Sequence, residues 1–485
     1  MRAALGDEGR GHFEQATLAG RLNTGRTLDE SIPGLHSRAG HSSPAESLLL
    51  PGFTRSLRPA LSRPAPPGRL KLDRRETTAL LCLRKFNFSA DSLASPALQE
   101  HANGRSREGD CPSRKRRSSM HSLSLGACAL VIPFTQRNMH AAATRVATQT
   151  LWVEAADADG NCGYGEACPR VYATGESLDD AIAFVRQHGD AWCDAIGDVA
   201  SLRDWVAAHA ADIDEHPAAW CAVELALLDL FGRRCGVAVE TLLDLPPIAG
   251  SYRYTAMLGD VSEAAFARQL HAYVVDGFDT FKIRLCGVLE RDRAKVEALV
   301  AAGIAPGRVR ADASHLWTSA REAVFYLRAL GYPFVALEEP VSVGAVHEMA
   351  EIGRALDCAI VLDESLTRIE HLASLPSGAR YIVNLRVSKM GGLLRTLAIA
   401  RAAVARSLPI IVGAHVGETS VLTRAALAVV QACREHVIAQ EGAFGRHLLA
   451  HDVVLSSLGF GAGGLLDASA VPGGPGFGLR VVASD

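Results

Sequence analysis

Eight short apolar runs alternate with amphipathic helical stretches from residue 251 onward, and this alternation limits the choice of fold more than any other feature of the chain. A helix that follows a strand returns the chain to the same edge of the sheet, so neighbouring strands run parallel. Eight such units within about 200 residues predict a compact (β/α)8 TIM-type barrel, which we place at residues 251–454. The runs are SYRYTAML, TFKIRL, RVRADAS, FVALEEP, AIVLDES, YIVNLRVS, PIIVGAH and HVIAQEG.

A different pattern precedes the barrel. The segment TQTLWVEAADADGNCGYGEA alternates apolar and polar residues on both sides of an Asp159-Gly160 turn, which predicts a β-hairpin. SLDDAIAFVRQHGDAWCDAI and HPAAWCAVELALLDLFGRRCG follow with helical spacing. We therefore predict an N-terminal α+β capping domain at residues 121–250. The strand-like tail GPGFGLRVV predicts that residues 455–485 return to that domain.

Residues 1–120 differ from the rest in composition. They are rich in Arg, Ser, Pro and Gly, as in RPALSRPAPPGR, and they contain the basic run Arg114-Lys115-Arg116-Arg117. No sustained helical or strand periodicity is present, so we expect a disordered, low-complexity extension. The basic run is either a nucleic-acid or targeting patch or a solvated charge cluster, and a polar tail favours the second.

Composition excludes several classes of function. The formal net charge of −3 provides no general attraction for nucleic acid, and no apolar stretch approaches the ~18 residues of a membrane span. The eleven cysteines are scattered and contain no Cys-x-x-Cys pair, which favours reduced thiols in a cytoplasmic protein. We expect neither nucleic acid nor a membrane among the partners.

Three acidic residues stand at the ends of successive predicted strands: Asp312 in VRADAS, Glu338 in VALEEP and Asp363 in IVLDES. The C-terminal ends of barrel strands open into one mouth, so these carboxylates should converge. An oxygen-rich site of this kind suits a hard cation, Mg2+ above all. A metal placed there can stabilise an enolate-like oxyanion, so the triplet predicts a reaction type as well as a fold.

Every predicted strand from the second onward ends in an ionisable residue. Side chains alternate along a strand, so residues two apart share the face that looks into the barrel. A purely structural barrel end would not collect charges in this way, and we interpret the set as functional. Beyond the triplet, the set comprises Lys282 and Arg284 on the second strand, Arg386 on the sixth with Lys389 just beyond it, His415 on the seventh and Glu441 on the eighth.

The order Lys-x-Arg, Asp, Glu-Glu-Pro, Asp-Glu-Ser and Asn-x-Arg-x-x-Lys-x-Gly-Gly resembles the enolase superfamily, in particular its muconate lactonizing enzyme and mandelate racemase branches. The resemblance covers essentially the whole predicted globular part. It implies that Asp312, Glu338 and Asp363 bind Mg2+ and that a substrate carboxylate chelates the metal. A base would then remove the proton from the neighbouring carbon to give an enediolate.

The sequence departs from this family at the base. The second lysine of the usual Lys-x-Lys is Arg284, and the usual lysine or aspartate of the sixth strand is Arg386. Arginine has a pKa above about 12, which makes it a poor base but a good bidentate partner for an anionic group. His415 matches the histidine of the mandelate branch, although its aspartate partner is replaced by Arg386.

Three mechanisms stay open at this point. In the first, His415 transfers the proton, because its ordinary pKa near ~6.5 suits that task, while Arg284 and Arg386 bind and polarise the substrate. In the second, Lys282 or Lys389 is the base, with its pKa lowered by the adjacent cations. In the third, Arg284 itself is the base, which would require strong desolvation.

The capping-domain loop ACPRVYATGES supplies the candidates for substrate selection. Arg170 and Tyr172 could contact a second polar or anionic group of the substrate, and Glu441 could contact the substrate from the eighth strand. The alternative is a surface turn that caps the next helix through Thr174 or Ser177.

The predicted function is therefore an Mg2+-dependent reaction on a small-molecule carboxylate. Resemblance to the muconate branch favours an isomerase, that is, an epimerase, racemase or cycloisomerase. A lone His415 that could protonate a leaving hydroxyl favours a dehydratase instead. A third alternative is a degenerate member that binds a carboxylate without turnover. Barrels of this kind are often symmetric oligomers, so we expect a homo-oligomer.

Overall fold

The computed structural model describes residues 123–140 and 143–482, and it describes side chains outside residues 136–145. The extension predicted at residues 1–120 lies outside the described residues. The first part of the described chain contains strands and helices in an α+β arrangement. These are β1 (Ser124–Leu130), β2 (Pro133–His140), β3 (Ala143–Ala147), β4 (Thr150–Ala156), β5 (Cys162–Ala167), α1 (Val171–Thr174), α2 (Leu178–Ala195), α3 (Val199–Ala208), α4 (Ala210–Glu215), α5 (Pro217–Cys235) and α6 (Val239–Leu242).

The second part alternates strands and helices. Its elements are β6 (Ser251–Arg253), β7 (Ala256–Leu258), α7 (Glu263–Val275), β8 (Phe281–Arg284), α8 (Leu289–Ala301), β9 (Val309–Asp312), α9 (Ala320–Leu330), β10 (Ala336–Glu338), α10 (Val346–Leu356), β11 (Ala359–Leu362), β12 (Tyr381–Leu385), α11 (Leu393–Ala405), β13 (Ile410–Val412), α12 (Ser420–Ala432), β14 (Val437–Gln440), α13 (Gly445–Leu448) and β15 (Leu465–Asp467).

The eight strands β7 to β14 form one parallel sheet in sequence order, which confirms the barrel prediction. Its two ends meet at a parallel bridge between Tyr254 and Gln440, where the backbone N–H of Thr255 donates to the carbonyl of Gln440 at 2.8 Å. Each strand is followed by an α-helix except β11, which is followed by a short 3-10 helix, Ile369–Ser374.

The register of the sheet places the strand ends at one level. Arg284 pairs with Asp312, and Asp312 pairs in turn with Glu338 on the next strand. Glu338 pairs with Val361, two residues before Asp363, so Asp363 has the same side-chain parity. The barrel topology therefore delivers the predicted acidic triplet to one mouth.

Helix α5 is the centre of the capping part. It begins at Pro217 and ends before Gly236, whose φ of 70° is the left-handed conformation that glycine adopts at low cost. Residues 217–232 are all buried, and the helix packs on β5. A Cβ at Gly165 of β5 would lie 1.9 Å from the carbonyl oxygen of Ala222, so the close approach of strand and helix requires glycine there.

The predicted hairpin is present as the antiparallel pair β4–β5, with β1 on the other side of β4. The prediction of a strand at GPGFGLRVV is wrong, because this segment makes only isolated bridges at Gly476 and Val481. It nevertheless returns to α5, since the N–H of Phe477 donates to Asp229 at 2.7 Å. The domain boundaries at residues 120, 250 and 454 stay predictions.

Candidate active site

Lys282 stands at the centre of the barrel mouth. Its Nζ lies 2.7 Å from Glu338 Oε2, 3.0 Å from Glu441 Oε2 and 3.4 Å from Asp312 Oδ2. Burial alone lowers the pKa of this lysine, but Glu338, Glu441 and Asp312 outweigh that effect and raise its pKa above the ordinary value. Lys282 is therefore a fixed cation among carboxylates.

Both arginines contact carboxylates of the triplet, and Arg386 Nη2 also lies 3.8 Å from Glu338 Oε1. Arg284 Nη1 is 3.1 Å from Asp312 Oδ1, and Arg386 forms a close ion pair with Asp363. Burial raises the pKa of Asp312, but Arg284 and Lys282 outweigh it and bring the pKa to about 2. Burial also opposes ionisation of Asp363, yet Arg386 and Lys389 hold its pKa below the ordinary range.

The donor set of the triplet fits a hard divalent cation. Glu338 Oε2 and Asp363 Oδ1 are buried and lack a hydrogen bond, although cationic nitrogens lie within 2.8 Å of each. Burial raises the pKa of Glu338 well above its ordinary value, and repulsion from Asp312, Glu441 and Asp363 adds to this. A divalent cation would relieve that repulsion.

The triplet is not gathered into a closed ligand cage. Among the described residues, the groups of three ligand atoms that lie within 4.8 Å of one another are Cys168, His415 and Glu418, and His315, Glu339 and Glu364. The side chains of the triplet instead pair with cations: Lys282 contacts Asp312 and Glu338, and Arg386 contacts Asp363. Metal binding would therefore exchange part of these ion pairs for metal–oxygen contacts.

Lys389 is fully buried beneath the mouth. Its Nζ donates to the carbonyls of Leu366 and Asn384 at 3.1 Å each and to that of Asp363, and it lies 2.8 Å from Asp363 Oδ1. Every donor direction of the ammonium group is thus engaged by the protein. This geometry suits a structural role, and the catalytic role of Lys389 stays a prediction.

His415 has the opposite environment. Its side chain is 0% exposed, and neither ring nitrogen has a hydrogen-bond partner. Burial, together with Arg386 and Arg170, lowers the pKa of His415 well below 6.5, so the imidazole is neutral at physiological pH. Among the predicted catalytic residues, His415 is therefore the one that can accept a proton without first losing one.

Two of the three predicted substrate contacts are engaged within the protein. Arg170 donates to the carbonyls of Gln149, Pro169 and Val416 at 2.7–3.0 Å, which ties the capping loop to the barrel. Glu441 accepts from Lys282 and from Arg310, the latter at 2.8 Å.

Tyr172 on α1 is 39% exposed, and Arg386 and Arg170 are among the charges that act on its hydroxyl. Of the three predicted contacts, it has the geometry best suited to meeting a ligand in the mouth. The alternative capping role in this loop is also present, since Ser177 caps α2 through the N–H of Asp180.

The site also contains residues that were not predicted from the sequence. The side chain of Asn384 lies 3.4 Å from Glu338 and 3.3 Å from Asp363, and its place two residues before Arg386 was the available signal. Glu339 accepts a hydrogen bond from the backbone N–H of Asp363 at 2.7 Å. Cys168 also lies beside His415, together with Glu418. The sequence contains no signal for Cys168, because only the fold brings it to the barrel.

Comparison with known proteins agrees with this architecture. The family described as "Enolase C-terminal domain-like" matches residues 265–484. A hydrophobic dipeptide epimerase of Enterococcus faecalis is 26% identical over 279 residues, which are 56% of this chain and 75% of the relative. Muconate cycloisomerase 1 of Rhodococcus opacus is 26% identical over 303 residues, 58% of this chain and 77% of the relative.

The barrel part of the chain that this family model matches, residues 265–484, belongs to the enolase superfamily. The fold of the chain is also that of a solved structure, the dipeptide epimerase of Enterococcus faecalis V583 complexed with Mg and the dipeptide L-Leu-L-Tyr. The TM-score is 0.62 at 22% identity, and the match covers 74% of this chain and 100% of the other. The relatives of the chain are enzymes named epimerase, racemase, cycloisomerase and dehydratase.

No helix in the described residues has the length and apolar character needed to cross a bilayer. A surface pocket of about 450 Å³ lies beside Asp214, Arg368 and Arg395, and none of the predicted site residues lines it. The candidate active site is the strand-end mouth, where Lys282 meets Asp312, Glu338 and Glu441.

Proposed function

We propose that this enzyme removes the proton beside the carboxylate of a small-molecule substrate in an Mg2+-dependent isomerisation, with His415 as the proton acceptor. The observation that carries the proposal is the contrast in charge state at the mouth. His415 is neutral and its ring nitrogens have no hydrogen-bond partner, whereas Lys282 is held as a cation by three carboxylates.

Asp312, Glu338 and Asp363 would hold the Mg2+ ion. When bound, the ion supplies positive charge that stabilises the enediolate formed by loss of the proton. Lys282 would bind and orient the substrate carboxylate, since its ammonium group is fixed at the same end of the mouth.

Arg284 and Arg386 would act as permanent cations, not as bases. Burial lowers the pKa of Arg386, but Asp363, Glu364 and Glu338 outweigh it and raise the pKa above the ordinary arginine value. Both guanidinium groups have the planar, bidentate donor geometry suited to polarising and gripping an anionic group of the substrate. Tyr172 would close over the same group from the capping part.

A single base favours some isomerases over others. A racemase or epimerase of the two-base type needs a proton carrier on each face of the carbon, and the described mouth offers a neutral nitrogen base on one side only, at His415. This supports a cycloisomerase-type reaction. The same observation supports dehydration as the second candidate, since His415 could protonate a leaving hydroxyl after taking the proton.

Deuterium exchange tests the proposal. The enzyme is incubated with Mg2+ in D2O with a panel of dipeptides, muconate-like diacids and hydroxy acids, and the α-proton and product are followed by NMR. We expect exchange or product formation that requires Mg2+ and is lost in His415→Asn. Exchange that persists in this variant would show that His415 is not the base. Absence of exchange across the panel would count against proton abstraction beside a carboxylate.

A further inference from the structure

Cys168, His415 and Glu418 form a second cluster of ligand atoms, separate from the carboxylate triplet. Cys168 directly follows β5 of the capping part, whereas His415 and Glu418 lie between β13 and α12 of the barrel. One ligand atom of each residue lies within 4.8 Å of those of the other two. Cys168 is 0% exposed, and the side chains of His415 and Glu418 are 0% and 8% exposed.

The imidazole supplies independent evidence that a ligand is accommodated here. Both ring nitrogens of His415 are buried without a hydrogen-bond partner, a state that is costly unless something satisfies them. Its Nδ1 lies 3.6 Å from Glu418 Oε1, which is too long for a hydrogen bond. In a tetrahedral zinc site with bonds near 2.0–2.1 Å, two such ligand atoms stand about 3.4 Å apart.

The charges of the cluster balance those of a divalent cation. A thiolate, a carboxylate and a neutral imidazole together carry a charge of about −2, so bound Zn2+ would leave no net buried charge. Arg170, Arg386 and Lys389 act electrostatically on His415 and oppose an added cation, whereas Asp363 favours one. Each of the two anionic ligands therefore strengthens binding of the cation.

We propose that Cys168, His415 and Glu418 form a binding site for Zn2+ or a similar thiophilic divalent ion. Sulfur and imidazole select zinc, whereas the all-oxygen triplet selects Mg2+, so the two sites separate the two ions by ligand chemistry. The bound ion joins the capping part to the barrel. The ion also binds the lone pair of His415, so zinc inhibits turnover. The inhibition rests on the proposed catalytic role of His415, whereas the binding itself does not.

The binding test uses the full chain saturated with Mg2+ and titrated with Co2+ and then Zn2+. A cobalt–thiolate bond gives a near-ultraviolet charge-transfer absorption that carboxylate ligands do not produce. We expect the wild-type protein to show this absorption at one equivalent and to lose it when Zn2+ displaces Co2+. Cys168→Ser should abolish the absorption and weaken zinc binding about tenfold or more, because the soft ligand is lost. Cys358→Ser, another buried cysteine outside the cluster, serves as the matched control.

Glu418→Gln provides a second variant, and circular dichroism establishes that each variant is folded. It should retain the absorption but bind zinc more weakly, since the thiolate stays and one anion is removed. Absence of the absorption in the folded wild-type protein, or its persistence in Cys168→Ser, would overturn the site.

The inhibition test follows turnover, or α-proton exchange, in wild type and Cys168→Ser. We expect Zn2+ to inhibit the wild type well before it inhibits the variant. Equal inhibition of both would overturn the regulatory part of the proposal. Because the spectroscopic test needs no substrate, failure of zinc binding and failure of the proposed reaction are separately visible.

Discussion

The carboxylate side and the histidine side of the barrel mouth differ in whether their buried polar groups have partners. On the carboxylate side, Asp312, Glu338 and Asp363 all have a cationic nitrogen within about 3.4 Å or closer. On the histidine side, His415 is equally buried but keeps both nitrogens without a hydrogen bond. Carboxylates paired with cations form an electrostatic frame, whereas a base without a hydrogen-bond partner stays available for a ligand or a proton. The following predictions test this contrast, from the largest expected effect to the smallest.

Replacing His415 with Asn should reduce turnover by roughly 10²–10⁴-fold, the usual contribution of a positioned general base. The folded structure should be retained, because the ring makes no hydrogen bond that is lost. Steady-state kinetics and circular dichroism measure the two effects. Near-normal turnover of His415→Asn would mean that His415 does not transfer the proton.

Replacing Lys389 with Met should have its main effect on stability. The change leaves Asp363 and three carbonyl groups without a buried cationic donor, which typically costs about 3–5 kcal/mol in the free energy of unfolding. Urea unfolding measures this loss, and Arg406→Met, at an exposed position, should change stability by less than about 0.5 kcal/mol. A small effect at Lys389 would show that the carboxylate frame is not rigidly compensated.

Replacing Glu338 with Gln, or Asp312 with Asn, should weaken Mg2+ binding by about tenfold or more, because one anionic ligand is lost. Calorimetric titration provides the measurement. Glu441→Gln is the comparison variant, since Glu441 contacts Arg310 and Lys282 and lies outside the triplet. Unchanged Mg2+ affinity in the first two variants would refute the ligand assignment.

Replacing Arg170 with Met should shift the pH dependence of kcat/KM. In the proposed mechanism His415 is a neutral base, so activity should be lost as the pH falls through its pKa, which Arg170 helps to hold below 6.5. Removal of this cation should raise the pKa and move the acid limb to higher pH. Arg395→Met, which removes a cation paired with Asp214, should leave the acid limb in place. A shift in the opposite direction would contradict the electrostatic account.

Much of the fold was accessible from local patterns. The period of the eight runs predicts a parallel barrel, and the Asp-Gly turn predicts the β4–β5 hairpin. The strand expected at GPGFGLRVV failed because its glycines adopt turn conformations, with φ of 67° at Gly476 and 71° at Gly478. Its side chains anchor to α5 through contacts distant in sequence, which a local pattern does not contain.

The sequence by itself determined the barrel, the three acidic strand ends and the loss of both usual lysines. These follow from strand parity and residue type, which are local properties. Only the tertiary structure decided how each cation is engaged, because Lys282 and Lys389 look alike in sequence. Lys282 contacts three carboxylates, whereas Lys389 contacts three carbonyl oxygens and the carboxylate of Asp363. It also decided that Cys168 meets His415, since their approach depends on packing between segments almost 250 residues apart.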